Sequence, residues 1–524
     1  MAKRKRFIEI MDTTLRDGEQ TRGVSLSGEE KMTIARLLLE GVRVDRIEIA
    51  SARVSEGERI SVGRILDWAK SVKKADRIEC LGFTDHKASV DWILSTGCRV
   101  MNLLTKGSMR HLEGQLRKTP KQHLSDIRKT VEYAASEKVT VNIYYEDWSG
   151  GALDSPEYVD LLYRECSQMP FARIMLPDTL GILNPEQVRR LVSEAREKLG
   201  ETHVDFHGHN DYGLATANSL AAALAGVDGL HCTFNGLGER AGNASLDEVA
   251  VVLADHSSLK THINLKRLKE VSRLIEVLAG QRISDNKPIS GDNVFTQTAG
   301  IHADGDKKGN LYETRLTPKR FGRDREYALG KLAGKASIEM NLKQLGIDLP
   351  DEAKKQLLQK IIQLGDNKEL VTADDLPYLI TDILETPEGK SFEVANSVIV
   401  SSQGLLAHAA IRVRFQGQEY EASGQGNGGY DAFMKALRSL SDHFPFEIPA
   451  LSDYEVHIPP GGHSDALVET LIVWEGGLRT RGVDPDQVMA AIEATSHMMN
   501  LLDAQHRAKT KKPRKRGKAR RVRS

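Results

Sequence analysis

Two histidines separated by one glycine, His207 and His209, follow a short apolar run with the pattern of a β-strand. Residues i and i+2 of a strand project to the same face, so the two imidazoles can bind one metal ion. A His-x-His pair alone is weak evidence, because most histidines in a chain of 524 residues are exposed or hydrogen-bonded. A metal site therefore requires further ligands elsewhere in the chain.

Further ligands are offered by the segment Asp12–Gln20, which follows the first predicted strand. Asp17 provides a hard oxygen ligand, and Arg16 provides a planar fork of donors for a carboxylate or a developing oxyanion. For an arbitrary Arg-Asp pair, a local salt bridge would be the expectation. Together with the two histidines and the side-chain oxygen of Asn243, however, Asp17 forms a mixed nitrogen and oxygen set. Such a set suits Mg²⁺, Mn²⁺ or Zn²⁺ and can leave positions open for a bidentate substrate.

The elements that position these residues alternate between strands and helices. The predicted strands are Phe7–Met11, Val44–Ile49, Arg77–Gly82, Val100–Leu104, Thr140–Tyr145, Ala172–Leu176, Val204–His207 and Gly229–Phe234. Amphipathic helical stretches between and after them include Glu29–Glu40, Lys121–Ser136, Pro185–Leu199 and Asp247–Asp255. About eight β/α units in about 250 residues predict a (β/α)₈ TIM barrel, with a doubly wound sheet as the alternative.

The polar residues cluster where a barrel assembles its active site. They follow strands one, five, six, seven and eight, and they are Arg16, Asp17, Glu146, Asp178, Thr179, His207, His209 and the segment Asn235–Asn243. Active sites of barrels form at the carboxyl ends of the strands. Convergence of five loops on that face indicates a functional site.

Four segments are predicted. Residues 1–280 form the catalytic barrel, 281–390 form small helical linker subdomains, 391–505 form a C-terminal α+β domain, and 506–524 form a disordered basic tail. The α+β domain is expected to contain a duplicated βββα unit. Its predicted elements are the strands Val394–Val400, Ala409–Phe415, Tyr454–Ile458 and Leu467–Trp474 and the helices Ala432–Leu440 and Val488–Met498. The absence of clustered catalytic groups there indicates a binding module.

The composition is that of an ordinary globular protein, with 40% hydrophobic and 28% charged residues. The 4 cysteines form no C-x-x-C pair, which suits a reducing cytoplasm. No apolar run approaches the ~18 residues of a membrane span, and the basic start lacks the apolar run of a secretory signal. From Arg507 onward there are eleven Lys or Arg and no acid. Such a tail can touch anionic surfaces, but a specific nucleic-acid partner is not expected.

Three motifs resemble those of one enzyme family. They are Asp12-Thr-Thr-Leu-Arg-Asp-Gly-Glu-Gln20, His207-Gly-His-Asn-Asp-Tyr-Gly213 and Asn235-Gly-Leu-Gly-Glu-Arg-Ala-Gly-Asn243. They are similar to the signatures of the 2-isopropylmalate, citramalate and homocitrate synthases, and the resemblance covers nearly the whole chain, with the citramalate branch most similar. These enzymes join the methyl carbon of acetyl-CoA to the ketone of a 2-oxo acid and then hydrolyse the thioester.

The resemblance implies roles for residues of the barrel. Asp17, His207, His209 and Asn243 match the family's metal ligands, Arg16 its charge-stabilising arginine, and Thr179 the group that hydrogen-bonds the substrate carboxylate. Glu146 matches a catalytic carboxylate, since removing a proton from a thioester methyl needs a positioned base.

The resemblance also implies roles outside the barrel. His302 and Tyr327 resemble catalytic groups of the linker, and Asp304, Asn310, Leu311 and Tyr312 match positions associated with acetyl-CoA. In the family these groups often come from the partner subunit, which predicts a homodimer with shared active sites. Whether Glu146 or His302 is the base stays open.

The 2-oxo acid is predicted from three residues at the level of the site, Leu81, Leu104 and Tyr144. A tyrosine two residues before Glu146, flanked by two leucines, narrows the pocket and favours pyruvate over 2-oxoisovalerate. An apolar wall also disfavours the second carboxylate of 2-oxoglutarate. A difference of one methylene between two substrates changes their relative binding free energy in an apolar pocket by only about 1–3 kcal/mol. The activity of a 2-isopropylmalate synthase therefore stays an alternative.

The C-terminal domain resembles the family's feedback module. The residues that match its amino-acid pocket are Tyr430, Asp431, Leu451, Tyr454, Ile458, Ser464, Ala466, Val468, Pro485 and Gln487, with Ser464 where Thr is usual. An apolar pocket with an aspartate for the α-ammonium group predicts a branched-chain effector. Isoleucine is favoured, and leucine is the alternative.

Two other functional classes are compatible with parts of this pattern. A pyruvate-dependent aldolase or lyase shares the barrel and the Arg-Asp, His-x-His arrangement. A non-catalytic amino-acid sensor would need only the C-terminal module. This chain retains every predicted metal ligand in the barrel, which argues against a sensor without catalysis.

Overall fold

The computed structural model describes residues 6–309, 311–345, 347, 349–366, 371, 376, 379–380, 391–457 and 468–510. The fold divides into two compact units. The barrel unit comprises the chain up to Phe295 together with Glu313–Arg325, and the C-terminal unit comprises Thr296–Tyr312 and the chain from Glu326 onward.

Eight parallel strands of the barrel unit close into a barrel in sequence order, β8 pairing with β1. They are β1 Glu9–Asp12, β2 Arg46–Ser51, β3 Ile78–Phe83, β4 Val100–Lys106, β5 Thr140–Glu146, β6 Phe171–Asp178, β7 Val204–Gly208 and β8 Gly229–Cys232. The predicted TIM barrel is thereby confirmed, and the doubly wound sheet is excluded.

Helices surround this barrel. They are α1 Gly28–Arg36, α2 Glu56–Ser71, α3 Ala88–Thr96, the single turn α4 Met109–His111, α5 Pro120–Ser136, α6 Trp148–Asp154, α7 Pro156–Cys166, α8 Pro185–Leu199, α9 Ala215–Ala225, α10 Leu246–His256 and α11 Leu268–Ala279. The helix predicted over Glu29–Glu40 is α1 followed by a π-helical segment, Leu37–Val42.

Local sequence explains where several helices begin. Capping boxes start three of them, with Ser27, Thr119 and Asn184 accepting a backbone N–H at the start of α1, α5 and α8. Proline occupies the first turn of α5 and α8, where its missing N–H costs nothing. Their apolar faces and the outer faces of the strands form one continuous core.

Several strands extend further at their carboxyl ends than the sequence predicts. Strands β4, β5 and β6 continue through Lys106, Glu146 and Asp178, and Lys106 lies opposite Glu146 in the ladder. The predicted boundaries were too short because they stopped at the last apolar residue, whereas backbone pairing continues under polar side chains. Strand β8 is instead shorter than predicted, since a 3₁₀ turn begins at Phe234.

The C-terminal unit begins with small elements. A two-stranded parallel sheet, β9 Thr296–Gln297 and β10 Glu326–Tyr327, accompanies the helices α12 Gly300–Gly309, α13 Lys335–Leu345 and α14 Asp351–Asp366. Buried leucines and isoleucines of α13 and α14 form a separate core.

The remainder is the predicted duplicated βββα unit. Two antiparallel three-stranded sheets, each followed by a helix, consist of β11 Phe392–Val400, β12 Ala407–Phe415, β13 Gln418–Gly426, α15 Gly429–Arg438, β14 Leu451–His457, β15 Val468–Trp474, β16 Arg479–Asp484 and α16 Gln487–Thr510. Helix α16 continues to Thr510, into the segment predicted to be a disordered tail. The rest of that tail, residues 511–524, lies outside the described residues. Within the described part of the chain, no helix is long and apolar enough to cross a membrane.

Candidate active site

A cavity of about 150 Å³ opens in the barrel unit. It is lined by Arg16, Asp17, Gln20, Leu81, Leu104, Tyr144, Glu146, Pro177, Thr179, His207, His209 and Glu239. The cavity thus brings together most of the barrel residues singled out from sequence. Asn243 is bridged to the lining residue His209, and the buried Asp178 carboxylate instead accepts the backbone N–H groups of Ile182 and Leu183. Gln20, Pro177 and Glu239 were missed, although Gln20 and Glu239 stand inside the quoted motifs.

Three of the lining residues can hold a metal ion. One ligand atom from each of Asp17, His207 and His209 lies within 4.8 Å of the others, and all three residues are buried. The Nε2 atom of His207 lies 3.3 Å from Oδ2 of Asp17. The sharp turn after β1 and the end of β7 place these groups together, as the strand-end argument predicts.

Asn243 is the candidate for a fourth ligand, through its side-chain oxygen. Its backbone forms a bridge with His209, and its amide nitrogen donates to the carbonyl of Leu237 at 3.0 Å. The same bond fixes the amide orientation, so the other atom of the amide is an oxygen acceptor. Among the described residues, this Oδ1 has no hydrogen-bond partner, and neither does Oδ1 of Asp17.

The electrostatics of the histidines suit metal binding. Burial, reinforced by the neighbouring His209, His231 and Arg16, holds the pKa of His207 well below its usual value. Burial also lowers the pKa of His209. Both rings are therefore neutral, the state in which an imidazole binds a metal. The donor set, with four buried atoms lacking partners among the described residues (Nδ1 of both histidines included), fits a divalent cation.

Arg16 is anchored by a carboxylate that sequence analysis missed. Its Nε donates to Oε2 of Glu48 at 2.5 Å, and its Nη1 lies 3.4 Å from Asp17. Burial disfavours the charged guanidinium, but Glu48 and Asp17 outweigh it and raise the pKa of Arg16. An acidic residue inside the apolar strand β2, alternating with isoleucines, was the signal that could have identified Glu48.

Glu146 forms an ion pair with a lysine at the end of the neighbouring strand. Its Oε2 contacts Nζ of Lys106, whose side chain is only 8% exposed, whereas that of Glu146 is 22% exposed. Glu146 also lines the cavity, where its carboxylate can accept a proton. Lys106 lies at the carboxyl end of a predicted strand, so the same rule that identified Glu146 could have identified it.

The remaining barrel positions form the wall of the cavity. Leu81, Tyr144 and Leu104 pack against Met11 and Met175 in a small apolar cluster. The backbone N–H of Asp147 donates to Oγ1 of Thr179 at 2.8 Å, which leaves the Thr179 hydroxyl hydrogen able to donate.

The residues predicted in the linker belong to the C-terminal unit. The rings of His302 and Tyr312 lie 4.2 Å apart, and Asp304 pairs with Lys308 at 2.6 Å. Tyr327 is buried beside Ala303. Leu311 is exposed, and Asn310 lies outside the described residues.

The predicted effector residues are partly brought together. The rings of Tyr430 and Tyr454 lie 5.5 Å apart, and the Tyr430 hydroxyl hydrogen-bonds Thr495 at 2.7 Å. Asp431 accepts the backbone N–H of Asn427 and pairs with Lys435. Val468 is buried, Leu451, Pro485 and Gln487 are exposed, and Ile458, Ser464 and Ala466 lie outside the described residues.

Three family profiles match consecutive parts of the chain. The HMGL-like profile matches residues 7–275, the "Homocitrate synthase post-HMGL domain-like" profile matches 289–369, and the "LeuA allosteric (dimerisation) domain" profile matches 370–502. The order of these matches follows the order of segments predicted from sequence.

Relatives align over nearly their full length. The "Putative (R)-citramalate synthase CimA" of Methanopyrus kandleri is 36% identical over 513 residues, 96% of this chain and 97% of the relative. The "(R)-citramalate synthase CimA" of Methanocaldococcus jannaschii is 31% identical over 502 residues, covering 95% and 99%. The "2-isopropylmalate synthase" of the same organism is 31% identical over 504 residues, covering 94% of each. The chain therefore belongs to the family of 2-isopropylmalate, citramalate and homocitrate synthases, enzymes that condense acetyl-CoA with a 2-oxo acid.

Proposed function

We propose that the protein condenses acetyl-CoA with pyruvate in a metal-dependent reaction and releases (R)-citramalate and CoA. The observation that carries the choice of pyruvate is the wall of Leu81, Leu104 and Tyr144 beside the candidate ligands in a cavity of about 150 Å³. A methyl group fits against such a wall. Larger 2-oxo acids must displace packed side chains, and a second carboxylate would meet no donor there.

Each group of residues at the site has a separate role in the proposed reaction. Asp17, His207, His209 and Asn243 would hold a divalent cation, which as a Lewis acid polarises the ketone of the 2-oxo acid. Arg16, held by Glu48, stabilises the negative charge that develops on the ketone oxygen. The Thr179 hydroxyl donates to the substrate carboxylate. Glu146 accepts a proton from the acetyl methyl, with His302 as the other candidate for this step.

A second candidate function is 2-isopropylmalate synthesis from acetyl-CoA and 2-oxoisovalerate. The two Methanocaldococcus jannaschii relatives, one with each name, are equally similar to this chain at 31% identity, so resemblance alone does not select the substrate. The predicted aldolase or lyase activity would instead cleave a 4-hydroxy-2-oxo acid without releasing CoA.

The test is a substrate panel with a thiol reagent that detects free CoA. Pyruvate, 2-oxobutyrate, 2-oxoisovalerate and 2-oxoglutarate are each supplied with acetyl-CoA, before and after chelation and re-addition of Mg²⁺, Mn²⁺ or Zn²⁺. We expect the highest kcat/KM for pyruvate and loss of activity on chelation. A higher kcat/KM for 2-oxoisovalerate would establish the second candidate, and CoA-independent cleavage would establish the lyase.

We further propose that the C-terminal domain mediates homodimerisation and binds isoleucine as a feedback inhibitor. The match to a LeuA allosteric (dimerisation) profile supports both parts. The paired rings of Tyr430 and Tyr454, with Asp431 adjacent in sequence, support an apolar pocket with one carboxylate. Adding isoleucine or leucine to the substrate panel distinguishes the two effectors.

A further inference from the structure

A buried chain of hydrogen bonds runs from the cavity wall into the interior of the barrel. The Tyr144 hydroxyl lies 2.9 Å from Nδ1 of His231, and Nε2 of His231 lies 3.1 Å from Oδ2 of Asp205. Arg46 in turn donates to Asp205 at 2.5 Å. The four residues come from β5, β8, β7 and β2, and each is at most 4% exposed.

The partners fix the direction of each bond. The Asp205 carboxylate faces the Arg46 guanidinium and can only accept, so Nε2 of His231 carries the ring hydrogen. In a neutral ring Nδ1 is then an acceptor, and the Tyr144 hydroxyl must donate to it. The hydroxyl hydrogen therefore points towards His231, which is not one of the residues that line the cavity.

We infer that His231, backed by Asp205, is a positioning residue that fixes Tyr144 and thereby sets the discrimination against larger 2-oxo acids. This inference rests on the proposed function, in which Tyr144 is one of the wall residues that limit the size of the 2-oxo acid. The Tyr144 ring also packs edge-on against His207, at 6.2 Å between centroids. The hydrogen bond to the hydroxyl and the contact with His207 therefore both restrain the Tyr144 ring against movement that would admit an additional methylene.

The hydrogen bond from Tyr144 to His231 could have either of two roles: satisfying a buried hydroxyl, or positioning the Tyr144 ring. If the bond only satisfied Tyr144, its loss would lower stability and leave the preference among substrates unchanged. If the bond positions Tyr144, loss of the bond enlarges the space beside the candidate metal ligands and admits 2-oxo acids with longer side chains. The ratio of kcat/KM for pyruvate to kcat/KM for 2-oxobutyrate reports this directly, because the two substrates differ by one methylene.

The test begins with His231→Leu, which removes both bonds. We expect the pyruvate to 2-oxobutyrate ratio to fall by about three- to tenfold, the range that loss of one hydrogen bond produces. His231→Asn retains an acceptor near the position of Nδ1 and should restore part of the ratio. The matched control is His203→Leu, since His203 also bonds Asp205, at 2.8 Å, but does not reach Tyr144. This control should keep the wild-type ratio.

A double-mutant cycle makes the inference falsifiable even if His231→Leu folds poorly. Tyr144→Phe removes the hydroxyl alone and should lower the ratio by itself. In the Tyr144→Phe background, His231→Asn should then cause no further change. Additive effects, or an unchanged ratio in a folded His231→Leu protein, would overturn the inference. A wild-type enzyme that prefers 2-oxoisovalerate would instead overturn the proposed function, so the two failures are distinguishable.

Discussion

At the scale of single residues, the site is defined by polar atoms that lack partners among the described residues. A buried polar atom without a hydrogen bond costs about 1–3 kcal/mol, yet Oδ1 of Asp17, Oδ1 of Asn243 and Nδ1 of both histidines are in this state among the described residues. A bound cation would remove that cost. These unsatisfied atoms are consistent with the proposed metal site.

Asn243→Ala tests the fourth ligand. The substitution removes one oxygen from the predicted coordination sphere, so the dissociation constant of Mn²⁺ should rise by about tenfold or more, in line with losses seen at metal-site residues. Isothermal titration of metal-free protein measures it. Asn218→Ala truncates an equally buried asparagine outside the cavity and should leave the dissociation constant unchanged. Equal affinity in both variants would remove Asn243 from the ligand set.

Arg16→Lys tests the stabilisation of negative charge. Lysine keeps the charge but cannot donate through a planar fork to Glu48 and still face the cavity. We expect kcat to fall by about 10²–10³-fold, the loss typical for removal of one oxyanion donor. Steady-state kinetics with saturating pyruvate measure the effect, and Arg59→Lys on an exposed face of α2 is the control. A kcat within about twofold of wild type would contradict the assigned role.

At the scale of elements, the barrel positions the site through the carboxyl ends of its strands and the helices behind them. The His123 side chain on α5 illustrates the connection, since its Nε2 accepts the backbone N–H of Lys106 at 3.1 Å. Lys106 ends β4 and pairs with Glu146 at the end of β5. Helix α5 thus holds the strand end that presents the candidate base.

The same histidine predicts a dependence of stability on pH. Burial lowers the pKa of His123 to about 4, whereas in the unfolded chain the pKa of this histidine is near the ordinary value of 6.5. The stabilisation from the neutral ring is complete above that higher value. It is lost as the pH falls towards about 4, by up to about 1.4 kcal/mol per pH unit.

His123→Gln keeps an acceptor for Lys106 but cannot bind a proton. Urea unfolding of both proteins, followed by circular dichroism from about pH 7 to about pH 4.5, should show the wild type losing stability faster on acidification. Parallel curves for the two proteins would show that His123 is not the group responsible.

At the scale of the whole molecule, the candidate metal site and the proposed effector pocket lie in separate units with separate cores. The predicted effector residues lie in the C-terminal unit, and the metal ligands lie in the barrel unit. We therefore expect a substitution in the proposed effector pocket to change inhibition without changing turnover in the absence of effector.

Asp431→Asn tests that separation. Loss of the carboxylate removes the proposed partner of the effector's α-ammonium group, and a hydrogen bond to a charged group contributes about 1.5–3 kcal/mol. The isoleucine concentration for half-inhibition should rise by about tenfold or more, while activity without effector stays unchanged. Asp442→Asn, at an exposed position in the turn after α15, is the control. Unaltered inhibition would exclude Asp431 from the effector pocket.

The sequence by itself determined the barrel, the duplicated βββα unit and the residue types at the strand ends, because strand and helix periodicities are local properties of the chain. It could not supply the partners of those residues. The bonded pairs are Arg16 with Glu48, Lys106 with Glu146, Tyr144 with His231, and His231 with Asp205, and their members lie between 26 and 87 positions apart in the chain. Which side chains meet across so many positions depends on strand register and barrel closure. Only the tertiary structure decides these, and it therefore decides how the site is held.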